Sequence, residues 1–431
     1  MPNARTSPPR RDAAFAQDAA RVIAELREAT RRLLIATLGR EPTGGTDLTK
    51  QLALDTTLAW RVARLVGERD DAFAAARFVP GEMALRRLLD AARDAGAPDQ
   101  ACDSFERAAA AFGAFVSERA GSRKTFDLLT EGVRTHTGEK HERELRRSGF
   151  PAASFVHGLQ AALELTISVM FPSADDHHAF DVAVINGVLG LRQIRSGARW
   201  RMGRAYRRGR QSGRLAPGSD WKPLERGGEM RDGEHAMPIL RRFSTDPLPR
   251  CVVRTLPNGG AVYDLEPNDV GKRDEVDCLT GVLLRRTGFR YNDPEAAGVA
   301  QELAASLANF RTALRPRVPS ARFLAVFAVH RSLFGGAAPT ADVFNNHFAG
   351  EEADFETWDR VPLNLNVESL AGPADPRLRD PGFDRLHEAL RLGVDASELD
   401  PDSFLVHRVQ VEFIPAQTTM QLVWPRPNPP A

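Results

Sequence analysis

The spacing of apolar residues changes character along this chain, and that change limits the folds open to it. From Ala13 to about Thr137, apolar side chains recur every three or four residues, the period of a helix with one buried face. Beyond about residue 235, short runs alternate or are continuously apolar, with turn residues between them, which is the texture of strands. At 431 residues the chain is too long for one ordinary core. The spacing predicts an all-helical N-terminal bundle followed by a C-terminal α+β domain with a mostly antiparallel sheet. The expected divisions are a disordered 1–12, a helical domain over 13–214, a linker over 215–235, an α+β domain over 236–425 and a tail over 426–431.

The first helix is expected from Ala13 to Leu38, with Gly39 as its stop and Glu41 to Gly45 as a loop. Asp47 is placed to cap the next helix. Leu48 and Leu52 face the core from that short helix, and Leu54 fills the turn after it. Leu58, Val62 and Leu65 follow at i, i+4, i+7, so they form the buried face of a second helix capped by Asp55 or Thr56. Thr57, Trp60, Arg61 and Arg64 are left pointing outward.

Two short helices, a tight turn, and polar and basic side chains along the second resemble the helix-turn-helix of DNA-binding regulators over residues 47–66. The resemblance implies that the second helix enters the major groove, its first turn meeting base edges and its N-terminus favouring phosphate. Thr56, Thr57 and Arg61 then become candidates for base or phosphate contact, and Lys50 and Arg64 for phosphate. One departure is Ala53, where such turns often hold glycine because the position takes positive φ. Another is the outward Trp60, since a large aromatic usually packs on a neighbour.

Charge is unevenly distributed. Residues 1–214 carry 34 Lys and Arg against 26 Asp and Glu, an excess of eight, while residues 215–431 carry 24 against 31, a deficit of seven. A basic front half suits a polyanion partner. Its densest part is Arg192 to Arg214, with nine arginines, interleaved Trp200 and Tyr206, and no acidic residue. Arginine forks match phosphate oxygens, so Arg199, Arg201, Arg204, Arg207 and Arg208 join the nucleic-acid candidates. The competing expectation is a basic segment that pairs with the acidic rear domain.

Other helices are expected over 69–77, 82–95, 99–120 and 125–137. His136 to His141 is similar to a linker between zinc fingers, but no cysteine pair flanks it and it reads as a loop between helices. Phe155 to Met170 is apolar nearly all round and is expected to be a central buried helix. Asp175, Asp176, His177, His178 and Asp181 form the densest group of possible metal ligands. Only His177 and Asp181 have helical i, i+4 spacing, and two ligands make no site, so the group reads as a solvated helix start.

In the rear half, Cys251 to Leu256 and Ala261 to Leu265 are expected to form a hairpin, with a third strand over Cys278 to Arg285. Pro294 to Leu314 reads as an amphipathic helix, and Pro381 to Leu392 as another. Phe323 to Val329 is a continuous apolar run suited to a strand covered on both faces. Val409 to Phe413 and Thr418 to Trp424 alternate and are expected to pair as a hairpin.

No P-loop, GxGxxG, GxSxG or HExxH is present, so no catalytic residue, metal or cofactor is expected. Three dispersed cysteines argue against a disulfide framework or a zinc finger and fit a reducing cytoplasm. The polar start lacks a secretory signal, and no apolar run reaches the roughly 18 to 20 residues that span a bilayer, so no membrane partner is expected. The sequence thus points to a cytoplasmic, DNA-associated regulatory protein with a C-terminal sensing or assembly domain. Its expected partners are duplex DNA, and a protein or a second copy. The alternative is a non-catalytic interaction or scaffold protein in which the helical motif is structural.

Overall fold

The computed structural model describes residues 10–68, 71–133, 138–207, 221–225, 229–232, 235–247, 251–255, 261–265, 270–271, 275–293, 308–345, 360–361, 363, 365–415 and 417–429. The chain divides into two compact units, 1–140 and 141–431.

The first unit is helical: α1 (Arg10–Leu38), α2 (Gly45–Leu52), α3 (Thr56–Gly67), α4 (Ala72–Ala76), α5 (Glu82–Asp94), α6 (Asp99–Phe115) and α7 (Arg123–Val133). Gly39 ends α1 at φ 71, a conformation that only glycine takes without strain. Ile23, Leu26, Leu33 and Leu34 form the buried stripe of α1, within one apolar cluster that also holds Phe105, Phe112 and Phe126. Leu48, Leu52, Leu54, Leu58, Val62 and Leu65 belong to the same cluster, as their spacing predicts. Asp47 lies inside α2 instead of capping it, and its carboxylate accepts from Arg40 and from the Thr43 backbone N–H.

The second unit begins within α8 (Gly138–His157), which includes Gly138 to His141, the stretch read above as a loop. Its strands are β1 (Leu159–Pro172), β2 (Ala179–Gln193), β3 (Trp200–Arg207), β4 (Trp221–Pro223), β5 (Glu229–Asp232), β6 (His235–Pro238), β7 (Cys251–Thr255), β8 (Ala261–Leu265) and β9 (Val276–Phe289). They continue with β10 (Asn309–Leu314), β11 (Ser320–His330), β12 (Thr340–Asn345), β13 (Arg360–Val361), β14 (Val367–Leu370), β15 (Phe404–Glu412) and β16 (Thr418–Pro425), with α9 (Leu386–Asp395) before β15. Among the described residues they form three sheets, in the orders β14-β15-β11-β1-β2-β9-β4, β10-β16-β12-β13 and β5-β6-β3-β8-β7. Among the described residues the strands pair antiparallel except β1 with β11. This is the α+β unit with a mostly antiparallel sheet that the period-2 texture predicts.

Several boundaries differ from the sequence reading. The buried helix expected over 155–170 is strand from Leu159 onward. Gly158, at φ 73, ends α8, and β1 is buried on both faces because layers cover both. Helix therefore stops at His157, well short of 214. The expected linker 215–235 contributes β4, β5 and the start of β6, all paired into sheets. The β7–β8 hairpin and β9 form as expected. The end of the helix expected over 294–314 is instead β10, and residues 294–307 lie outside the described residues. β15 and β16 do not pair as a hairpin: β15 lies between β14 and β11, while β16 lies between β10 and β12 in another sheet.

One face of the seven-stranded sheet carries Leu163, Leu165, Ile167, Leu324 and Val326, packed with Leu386, Leu390 and Val394 of α9. The opposite face carries two separate clusters. Met170, Phe323, Phe327 and Val409 pack with Met420, Leu422 and Trp424 of the four-stranded sheet. Leu159, Ala161, Val188 and Cys278 pack with Trp200, Met202 and Tyr263 of the five-stranded sheet.

Candidate nucleic-acid interface

The α2–α3 corner has an eight-residue helix, the three-residue turn Ala53-Leu54-Asp55, and a twelve-residue helix. Ala53 sits at φ 52, the left-handed conformation that the turn requires. That conformation costs an L residue roughly 1–2 kcal/mol relative to glycine. Ala53→Gly is therefore expected to raise the stability of the first unit by about 1 kcal/mol, read as a higher urea midpoint with unchanged slope. The helices approach closely: a Cβ on Gly45 would lie 3.0 Å from the Trp60 Cα.

Burying Leu58, Val62 and Leu65 turns the other side of α3 outward. Thr56, Thr57, Trp60, Arg61 and Arg64 are all exposed, as is Lys50 on α2. The Lys50 and Arg61 side chains have no hydrogen bond or ion pair with a described residue. Arg64 is engaged: it pairs with Glu68 at 2.9 Å and its guanidinium lies 5.0 Å from the Phe78 ring centroid. Trp60 meets Phe78 edge-on at 5.4 Å, so the outward tryptophan has a partner although half of it is exposed.

The N-terminus of α3 is already occupied. Asp55 accepts from the Leu58 N–H at 2.9 Å, supplying there the negative charge that a phosphate would bring. A hollow of about 580 Å³ beside the turn is lined by Asp55, Asp90, Asp94 and Arg87, among others. Sequence reading missed the last three. They are visible in the sequence only as polar residues of α5, and their position beside the turn comes from tertiary packing.

The arginine segment belongs to the second unit: Arg192 lies on β2, Arg201, Arg204 and Arg207 lie on β3, and residues 208–214 lie outside the described residues. Arg199 is exposed. Arg201 pairs with Asp264 of β8 at 3.5 Å, and the same buried carboxylate takes Arg254. Part of the cationic run therefore neutralises the unit's own acid, as the competing expectation held for this residue. Arg204 and Arg207 lie on β3 in register with Val262 and His235, and Arg208 lies outside the described residues.

The group around Asp176 is a turn between β1 and β2 rather than a helix start. Asp176 accepts from the His178 N–H, and the His177 and His178 ring centroids lie 3.8 Å apart with the planes tilted by 46°. Asp181 is fully buried and accepts from Arg285 and from the Arg286 N–H, both at 2.7 Å. Among the described residues, no three His, Cys, Asp or Glu side chains are placed to hold one ion. No helix among them is long and apolar enough to cross a membrane.

Two other buried side chains, Glu164 and His407, have partners within the fold. Glu164 receives the Arg317 backbone N–H at 3.0 Å and its Nε at 3.2 Å, while burial, the larger influence, raises its pKa above the usual carboxylate range. His407 accepts or donates at Nδ1 to Ser369 Oγ at 3.1 Å, and burial lowers it to about 4, so the imidazole is neutral at physiological pH. No family model, no curated protein and no solved structure matches this chain.

Proposed function

We propose that this chain is a DNA-associated regulatory protein. In this reading residues 45–67 contact duplex DNA and the second unit senses a ligand or mediates assembly. The observation that carries it is the corner's layout: eight helical residues, a left-handed turn residue, and a second helix with Thr57 and Arg61 exposed beside Lys50. Lys50 and Arg61 act as the leading phosphate contacts, and Thr56 and Thr57 lie where the first turn would meet base edges. Arg64 reaches phosphate only by exchanging Glu68.

Fluorescence anisotropy of the full chain with a labelled duplex tests this reading. Affinity should fall steeply between 50 and 200 mM salt, and Lys50→Ala with Arg61→Ala should flatten the log–log salt slope by roughly two, since each neutralised phosphate contributes about 0.9. A flat titration to tens of micromolar at low salt removes the proposal.

A second reading treats the corner as a structural element of an interaction protein. It is favoured by the Asp55 cap and by the acidic hollow lined by Asp90 and Asp94, which repel phosphate beside the turn. Under it the double alanine variant retains DNA no differently from wild type.

A further inference from the structure

The face of the seven-stranded sheet opposite α9 is divided by a polar band. Even-numbered residues from Glu164 to Met170 of β1, from Val182 to Val188 of β2 and from Cys278 to Thr280 of β9 point to this face, because Val182 and Met170 lie in one apolar cluster and Val188 and Cys278 in the other. Between those clusters the same face holds Glu164, Thr166 and Ser168 of β1, Asn186 of β2 and Thr280 of β9. Thr166 is directly opposite Asn186, which is directly opposite Thr280. Three hydrogen-bonding side chains therefore stand in one row across adjacent strands, a line of roughly 10 Å at the ordinary strand spacing.

Thr166 and Ser168 are 7 % and 9 % exposed, yet neither side chain has a hydrogen-bond partner among the described residues. Both hydroxyl oxygens keep contact with solvent, so each is free to exchange water for a ligand's hydrogen bond. Asn186 and Thr280 are half-buried where the flanking Ile185, Gly187, Leu279 and Gly281 are buried. The band falls between the four-stranded and five-stranded sheets that supply the two clusters' other walls.

We infer that this band is a binding site for a small uncharged molecule bearing hydroxyl or amide groups. Neutrality follows from the one ionisable group in the row, Glu164, which Arg317 already engages through its backbone N–H and Nε. A charged ligand would be buried without a counter-ion. Thr166 and Ser168 offer donors and acceptors, Thr280, whose hydroxyl donates to the Asn186 carbonyl at 3.1 Å, offers an acceptor, and the Asn186 amide offers both at once. Phe323 and Phe327 of β11, in register with Glu164 and Ser168, provide apolar walls on the same face. The site is independent of residues 45–67 and stands or falls without regard to DNA.

The test uses the full chain with glycerol, D-glucose and adenosine as separate probes, read by thermal unfolding and by native mass spectrometry. Wild type should retain a 1:1 small-molecule adduct as isolated, or gain about 3 °C or more in midpoint with at least one probe at about 10 mM. Asn186→Leu should abolish both effects. Should that variant fold poorly, the near-isosteric Thr166→Val and Thr280→Val serve instead, each expected to weaken the probe shift at least threefold. Absence of any adduct together with no probe shift in wild type overturns the inference. So does an equal shift in wild type and variants, which would leave a band filled by water alone.

Discussion

Gly187→Ala is expected to collapse the seven-stranded sheet, with a loss of about 3 kcal/mol or more. Gly187 sits in the middle of β2, opposite Leu165 of β1 on one side and Leu279 of β9 on the other. A Cβ there would overlap the Cys278 carbonyl oxygen and come within 2.7 Å of the Leu279 Cα. Both are backbone atoms of a paired central strand, so no side chain can turn aside to make room. Relief requires separating β2 from β9, which breaks ladder hydrogen bonds along the sheet. The check is urea unfolding of the full chain followed by the fluorescence of Trp200 and Trp424, both buried in the second unit. Gly113→Ala is the control. It lies within α6 with open space where its Cβ would be, and should gain about 1 kcal/mol from helix propensity alone. Equal and small effects at the two positions would mean that β2 and β9 are not packed as described.

Arg317→Met is expected to cost about 3–5 kcal/mol at neutral pH, because it leaves Glu164 buried without its partner. The effect should depend on pH with a definite sign. Burial already holds the Glu164 carboxyl above its ordinary range in the folded protein, and Arg317 works against that rise. A carboxyl raised on folding contributes stability below its unfolded value, and that contribution is lost as pH climbs through the folded value. Removing Arg317 pushes the folded value higher still. The variant should therefore be weakest relative to wild type near pH 7 and recover part of the difference at acid pH, where the raised carboxyl takes up its proton. Urea midpoints of wild type and variant at the two pH values decide the matter. A difference that does not change with pH would show that Arg317 contributes packing and backbone bonding rather than charge.

The sequence carried the helical unit well because each of its helices is amphipathic and bounded by a readable signal. Leu58, Val62 and Leu65 show their buried face by spacing alone, and Gly39 and Asp55 act as stop and cap. Strand β1 was misread as helix because period vanishes when both faces are covered. Thr166, Ile167 and Val169, all β-branched, were the available signal for a strand. The pairing of β15 and β16 was misread for another reason. Proximity in sequence favours a hairpin, but Pro415 leads the chain from one sheet into another, and only the whole sheet order decides that.

The candidate interface was legible as far as single residues go. Lys50, Thr57 and Arg61 are exposed because the opposite side of the corner is apolar. Its electrostatics were not legible, since Asp90 and Asp94 reach the turn from a helix some forty residues away. The Arg201–Asp264 pair likewise joins residues that no local pattern connects.

The parallel contact between β1 and β11 has a consequence for how the protein is made. Ala161 lies opposite Ser320, so the partner strand leaves the ribosome about 160 residues after β1 does. The β1–β2 pair is close in sequence and available early, while the free edge of β1 waits unpaired in the nascent chain. Ribosome-stalled chains that end before Ser320 should accordingly bind chaperones or aggregate through that edge, and chains that extend past Glu412, once β15 has covered β11, should not.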